Sequence, residues 1–411
     1  MKRPQSNGPR AAVQTPQASP KRPFHRLAIS LLCVTLPALS AAQSAQQQFA
    51  GTTSTKTGYA TWDLDAINSE QVTQTGQGVY VAVLDTGLVP NWRDYFPEAR
   101  IATKLGDGFD QPVTFKAGNL DPCGYDVEVG QLSRSTWVGS RGSSHGSHVT
   151  STIIGYYYKN PYDTLNGFDL PPPMVRGVAP EVTIIPVKVL ADYKIPALPK
   201  CGYPGGSAVF GTSAMIAAGL DYVTDLARAG YRPMVVNMSL GGSALEPVEQ
   251  AALDRAIANG VIVVAAAGNE GTAGMGYPGA YAPVISVGSA GWTGEWSNPD
   301  APGNYYRMWW LQYGQYPVLP NAGNVADPTS VNDLYVSDFS SRALHGQQLD
   351  VLAPGSWVRG PFPGDPAYQH LPWWSNGRGV FRSPTPLANF YFVGGTSMAT
   401  PHVASVAALM L

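Results

Sequence analysis

The chain reads as an α/β protein, with a mostly parallel central β-sheet, helices on both faces and loop insertions. Three observations predict this. Five short runs are apolar and largely β-branched throughout: Val79–Asp85, Thr183–Leu190, Met234–Ser239, Val261–Ala266 and Val284–Ser289. Helical patterns separate them, at His145–Gly155, Ser213–Ala229 and Pro247–Asn259. Strands that are apolar on both faces and alternate with helices belong to a parallel sheet covered on both sides. The third observation is punctuation: 45 Gly and 36 Pro in 411 residues make a loop-rich but globular chain.

The N-terminus comes first in the chain and explains its charge. The first 42 residues hold six basic side chains (Lys2, Arg3, Arg10, Lys21, Arg22, Arg26) and no acidic one. The remainder carries 20 basic against 28 acidic residues, about −8, so nothing suggests a nucleic-acid footprint. Leu27 to Ala42 is an apolar run behind Lys21, Arg22 and Arg26, ending in Ser40-Ala41-Ala42. That is the pattern of a secretory signal peptide over residues 1–42, cut near Ala42–Gln43. The run is short for a membrane span and contains Pro37, so no stable membrane insertion is expected after cleavage. Residues 43–57 are rich in Gln, Ser and Thr and read as unstructured. The folded domain is expected over 58–411.

Cys33 would leave with the leader. Cys123 and Cys201 then remain in an oxidising compartment, where a disulfide between their loops is expected and two free thiols are the alternative. In the helix Ser213–Ala229, Met215, Ile216, Leu220, Val223 and Leu226 recur at helical spacing. Two segments break the alternation, 291–334 and 360–392, both rich in Trp, Tyr, Pro and Gly. They read as surface insertions with local aromatic packing, or, for the second, as part of a cleft beside Ser397.

Three motifs carry chemistry. Gly394-Gly395-Thr396-Ser397-Met398-Ala399-Thr400-Pro401-His402 sets a hydroxyl between a glycine turn and a buried helical run. Ser397 is thereby expected at a helix N-terminus, which favours developing negative charge. Val81-Ala82-Val83-Leu84-Asp85-Thr86-Gly87 ends the first strand on a carboxylate, where open α/β sheets place their sites. His145-Gly146-Ser147-His148-Val149 opens a helix. A serine hydroxyl needs a base to become a nucleophile, and a carboxylate to hold that base.

In the order Asp, His, Ser, these motifs resemble the subtilisin-like serine proteases, the subtilases. The resemblance runs from about Tyr59 to Leu411. It implies a subtilisin-like fold and a secreted serine endopeptidase with Asp85, His145 and Ser397 as triad. Asn269, in Ala267-Gly268-Asn269-Glu270-Gly271, matches the family's oxyanion-hole residue. Ser239, Leu240 and Gly241 would line the substrate channel, Ala267 and Gly268 the pocket wall, and Gly276 its floor. With Glu270 at most at the rim, apolar or aromatic side chains are expected before the scissile bond. His148 and His402 are expected to be structural. Ser147 stands where the family usually has Thr.

The resemblance also implies partners and limits. Substrates would be proteins or peptides, the chain a monomer, and no catalytic cofactor is expected. Asp94 lies where many relatives bind a structural calcium; a solvated surface carboxylate is the other reading. The family's large inhibitory prodomain has little room before Tyr59. The domain also ends soon after the serine helix, which reads as a C-terminal truncation. A sedolisin-type protease, with Glu for His and Asp for Asn, is opposed by His145 and Asn269. From another class, the alternative is an inactive remnant or a non-catalytic binding scaffold of the same fold.

Overall fold

The computed structural model describes residues 54–55, 58–59, 61–119, 121, 123–140, 143–157, 174–293, 310–312, 330–363 and 390–411. The described residues belong to one compact unit, Gln46–Leu411. The expected signal peptide, most of 43–57, and the interiors of 291–334 and 360–392 lie outside the described residues.

Among the described residues nine strands form the central sheet: β1 (Tyr80–Asp85), β2 (Asp107–Asp110), β3 (Ser133–Ser135), β4 (Thr183–Lys188), β5 (Met234–Met238), β6 (Ile262–Ala266), β7 (Ile285–Trp292), β8 (Leu334–Val336) and β9 (Val351–Pro354). Their order is β8-β7-β6-β5-β1-β4-β2-β3, with β9 also paired to β7. Pairings from β7 through β2 are parallel, as is β9 on β7; only the outer strands β8 and β3 run antiparallel. All five expected strands are present, with ends shifted by at most three residues. The strands not anticipated are β2, β3, β8 and β9, which are three or four residues long and partly exposed; β2 and β3 are also polar, while the apolar runs of β8 and β9 are too short to stand out.

Alternation along β1 divides the core. Val81 and Val83 face one layer, where they pack with Val149 and Ile153 of α2 (Ser144–Ile154) and Met398, Ala399 and Ala404 of α5 (Thr396–Met410). Ala82 and Leu84 face the other, against Met215, Leu220 and Val223 of α3 (Ser213–Arg228) and Leu253 of α4 (Pro247–Ala258). Thr212 caps α3, accepting the Met215 N–H at 3.2 Å, and Pro247 opens α4. The two helices with candidate catalytic residues thus share one face of the sheet and pack on each other.

The ends of both aromatic segments are visible. Residues 291–292 finish β7 and Leu334–Val336 returns antiparallel beside it. Phe390–Val393 pairs with both Val358–Pro361 and Trp310–Gln312, so the two segments meet in one three-stranded sheet. Near the N-terminus, Ser54–Thr55 pairs with Gly58–Tyr59, inside the stretch that composition reads as unstructured.

A short helix, α1 (Trp62–Asp65), ties this end of the chain to α5. Trp62 donates from Nε1 to the Trp357 carbonyl at 2.9 Å and packs on Trp292, ring centroids 4.6 Å apart. His402 lies between the Met398 carbonyl (Nδ1, 2.8 Å) and Asp63 Oδ2 (Nε2, 3.0 Å), both side chains buried. A carbonyl only accepts, so Nδ1 carries a proton; Nε2 faces a carboxylate and donates as well. Burial pushes the Asp63 carboxyl up, but the hydrogen bond and charge of His402 outweigh it and hold it below its ordinary 3.8. Asp63 accordingly contributes stability above that value and loses it as pH falls through its lowered one. Asp63→Ala is expected to cost about 3–5 kcal/mol in denaturant unfolding at neutral pH; a midpoint equal to the parent chain would show that the pair does not hold α1 to α5.

Candidate active site

Asp85 ends β1 in the middle of the sheet and is fully buried. A carboxylate there must be paired or neutral. Its Oδ1 accepts the Thr86 N–H at 2.7 Å, and His145 Nδ1 lies 2.8 and 3.0 Å from its two oxygens. The carboxylate accepts, so the proton sits on Nδ1 and the lone pair on Nε2.

The residues around both motifs fix this contact. Ser143, at the N-cap of α2, donates to the Thr86 carbonyl at 2.8 Å. Thr86 Oγ1 accepts the Gly146 N–H at 3.0 Å. Ser147 Oγ accepts the Val89 N–H at 3.1 Å, which gives that small hydroxyl its function. Gly146 is required: a Cβ there would come within 2.4 Å of the Gly87 carbonyl. The α2 N-terminus is thus stitched to the turn after Asp85, and His145 follows. His148, one turn on, is buried with Nε2 3.1 Å from the Val358 carbonyl, as a structural residue would be.

Ser397 stands in the first turn of α5, after a glycine turn held by the Gly395 N–H on the Gly355 carbonyl at 2.7 Å. It is bound reciprocally to Ser239. Ser397 Oγ donates to the Ser239 carbonyl at 3.2 Å, and Ser239 Oγ donates to the Ser397 carbonyl at 2.8 Å. Asn237, not singled out from sequence, supports Ser239 through Nδ2 at 3.0 Å. No hydrogen bond joins Ser397 to His145 in this structure.

Asn269 Oδ1 accepts from both the Thr396 N–H (2.9 Å) and its hydroxyl (3.0 Å). Its amide nitrogen is therefore turned away from Thr396; a Cβ built on Gly395 would lie 3.9 Å from it. Ser397, Asn269, Leu240, Gly241, Gly268 and Gly276 line one cavity of about 310 Å³, together with Met275 and Glu270. Ala267 does not reach it. Buried, it holds Gly276 in place, its carbonyl accepting the Gly276 N–H at 2.8 Å.

Among protein-family models, that of the subtilase family matches residues 76–411. The chain belongs to the subtilase family. It is 28% identical to subtilisin DY of Bacillus licheniformis over 274 residues, 66% of this chain and 64% of that protein. It is 27% identical to the extracellular serine proteinase of Thermus sp. (strain Rt41A), over 86% of this chain and 57% of that one. With alkaline elastase YaB of Bacillus sp. (strain YaB) the identity is 31%, over 82% of this chain and 55% of the relative. The chain thus spans 55–64% of the length of these curated relatives.

This subtilase carries a second cavity, of about 370 Å³, that the sequence did not disclose. Thr86 and Ser143, neighbours of Asp85 and His145, line it with Leu190, Tyr193 and the Lys188–Asp110 ion pair. Part of its wall is the hairpin Ala191–Ile195/Gly206–Phe210. A Cys123–Cys201 disulfide, Cα atoms 5.6 Å apart, joins this region to the Val113–Ala117/Tyr125–Val129 hairpin. Asp94 is exposed in a single 3₁₀ turn and accepts from Asn91 Nδ2 at 2.9 Å. Among the described residues no three His, Cys, Asp or Glu side chains gather.

Burial pushes the His145 pKa down, but the charge and hydrogen bond of Asp85 prevail and raise it above the ordinary 6.5. The protonated ring therefore stabilises the fold below pH 6.5, and that contribution disappears as pH rises through the raised value. A base must be neutral to act, so peptide hydrolysis should rise with pH along an acid limb centred above 6.5. A kcat/KM profile centred below 6.5 would contradict the arrangement.

Proposed function

We propose that this chain is a secreted serine endopeptidase working through an acyl-enzyme. Ser397 Oγ attacks the scissile carbonyl and gives its proton to His145 Nε2. Asp85 holds the ring and stabilises the imidazolium. The tetrahedral oxyanion takes hydrogen bonds from Asn269 Nδ2 and the Ser397 N–H. His145 then protonates the leaving amine, and water reverses the sequence to release the acyl group. For this Ser397 rotates from the Ser239 carbonyl towards His145 as substrate binds, since catalytic hydrogen bonds often tighten only in the complex. The Asp85–His145 pair is the observation that carries this reading: a buried carboxylate leaves Nε2 as a free base.

The cavity beside Ser397 takes the side chain before the scissile bond. Leu240, Met275 and the glycine walls suit apolar or aromatic residues, with Glu270 at an exposed edge. The apolar run Leu27–Ala42 and its basic flank support secretion, as does the extracellular proteinase among the relatives. The enzyme acts on proteins or peptides as a monomer, without a catalytic cofactor; a structural calcium belongs to the same proposal only as an addition at Asp94.

An active-site-directed fluorophosphonate tests the reading. The folded chain should be labelled and Ser397→Ala should not. A cooperatively folded chain that takes no label would identify a non-catalytic scaffold of the same fold.

A further inference from the structure

Ser341 lies outside every motif read from the sequence, in the loop that follows β8, and is fully buried. Its N–H and its hydroxyl make three hydrogen bonds to the two residues that flank Asn269. Its N–H donates to the Gly268 carbonyl at 2.9 Å. Its hydroxyl accepts the Glu270 N–H at 3.1 Å and donates to Glu270 Oε2 at 3.0 Å. The adjoining backbone continues the splice: the Gly271 N–H donates to the Phe339 carbonyl and the Arg342 N–H to the Gly271 carbonyl, both at 2.8 Å.

The local geometry leaves little slack. Gly268 has φ +105°, and a Cβ there would lie 2.4 Å from Glu270 Oε2 and 2.9 Å from Ser341 Oγ. Asn269 therefore sits on a bridge whose two ends rest on one side chain and its own N–H. Thr396 fixes only the amide oxygen of Asn269; the peptide backbone beneath it needs a second restraint. Oxyanion donors act only when held within a few tenths of an ångström of their place.

We propose that Ser341 is a positioning residue that sets the Asn269 amide against the developing oxyanion. This rests on the reading of Asn269 as an oxyanion donor. Removing the hydroxyl leaves the Glu270 N–H without its acceptor and frees the Glu270 carboxylate, so the 268–270 edge of the cavity loosens, while its apolar side is held by other contacts, Gly242 pairing with Tyr277 and Met275 with Gln347. Transition-state stabilisation falls; ground-state binding of an apolar side chain does not.

The test is a double-mutant cycle of Ser341→Ala and Asn269→Ala, with kcat expressed per fluorophosphonate-titrated site so that unfolded protein does not count. Ser341→Ala is expected to lower kcat about tenfold, less than outright loss of a donor, with KM for a peptide of apolar side chain within about twofold. In the Asn269→Ala background the same substitution should change kcat by less than about twofold, since there is no amide left to position. Ser341→Cys, close in size but a weak hydrogen-bonding group, should behave as Ser341→Ala and replaces it if the alanine variant does not fold. Unchanged kcat, or an equal fall in both backgrounds, would overturn the proposal. If the parent chain takes no label, the enzymatic reading fails and this inference with it; an active parent with either overturning result removes this inference alone.

Discussion

The arrangement depends on one buried carboxylate. Asp85 closes the central strand of a sheet whose interior is mostly apolar, and its carboxylate is fully buried. Such a group survives as an anion only if every nearby donor is aimed at it. Two donors are present, the Thr86 N–H and His145 Nδ1, and both geometries follow from the Asp-Thr-Gly turn. The same turn captures α2 through Thr86, Ser143 and Ser147. Electrostatic necessity at Asp85 and helix docking at Gly146 are therefore one constraint. Its outcome is an imidazole with a defined tautomer at the sheet's carboxyl edge.

The sheet supplies the frame on which the other groups converge. Alternation in β1 sends Val81 and Val83 towards α2 and α5, so the helices of His145 and Ser397 are packed on one another across a single core layer. The segments that follow β5 and β6 carry Ser239 and Asn269, which fasten the first turn of α5 from two sides. The buried His402–Asp63 pair anchors the same helix further along its length. Ser397 is thus held on a rigid element while its hydroxyl retains one soft rotation. That combination is compatible with the movement from Ser239 towards His145 that the proposed mechanism requires.

Much of this could be read from the sequence because the signals were strong and local. The parallel strands are apolar on both faces, and each chemical motif joins a glycine or small residue to a functional one. Asp85, His145 and Ser397 stand out on those grounds and Asn269 through the family resemblance; the structure pairs Asp85 with His145 and sets Asn269 and Ser397 in one cavity. What escaped was of another kind. The strands β2, β3, β8 and β9 are only three or four residues long, too short for a pattern to show, and are held by their neighbours in the sheet. Asp63 and His402 are separated by most of the chain, and no local pattern links them. Ser341 resembles any loop serine until the fold closes it over Asn269. The second cavity arises from a hairpin whose path is set by long-range pairing. Long-range polar contacts leave little trace in a single sequence, because one residue type serves many partners.

The central claim is that Asp85 holds His145 with its proton on Nδ1 and its lone pair on Nε2. The most direct measurement is the ¹⁵N NMR shift of the two ring nitrogens of His145 above the pH of its titration, assigned by comparison with His145→Ala. The account predicts a protonated Nδ1 and an unprotonated Nε2, with that preference lost in Asp85→Ala. A ring protonated on Nε2, or one whose tautomer is indifferent to Asp85, would contradict it.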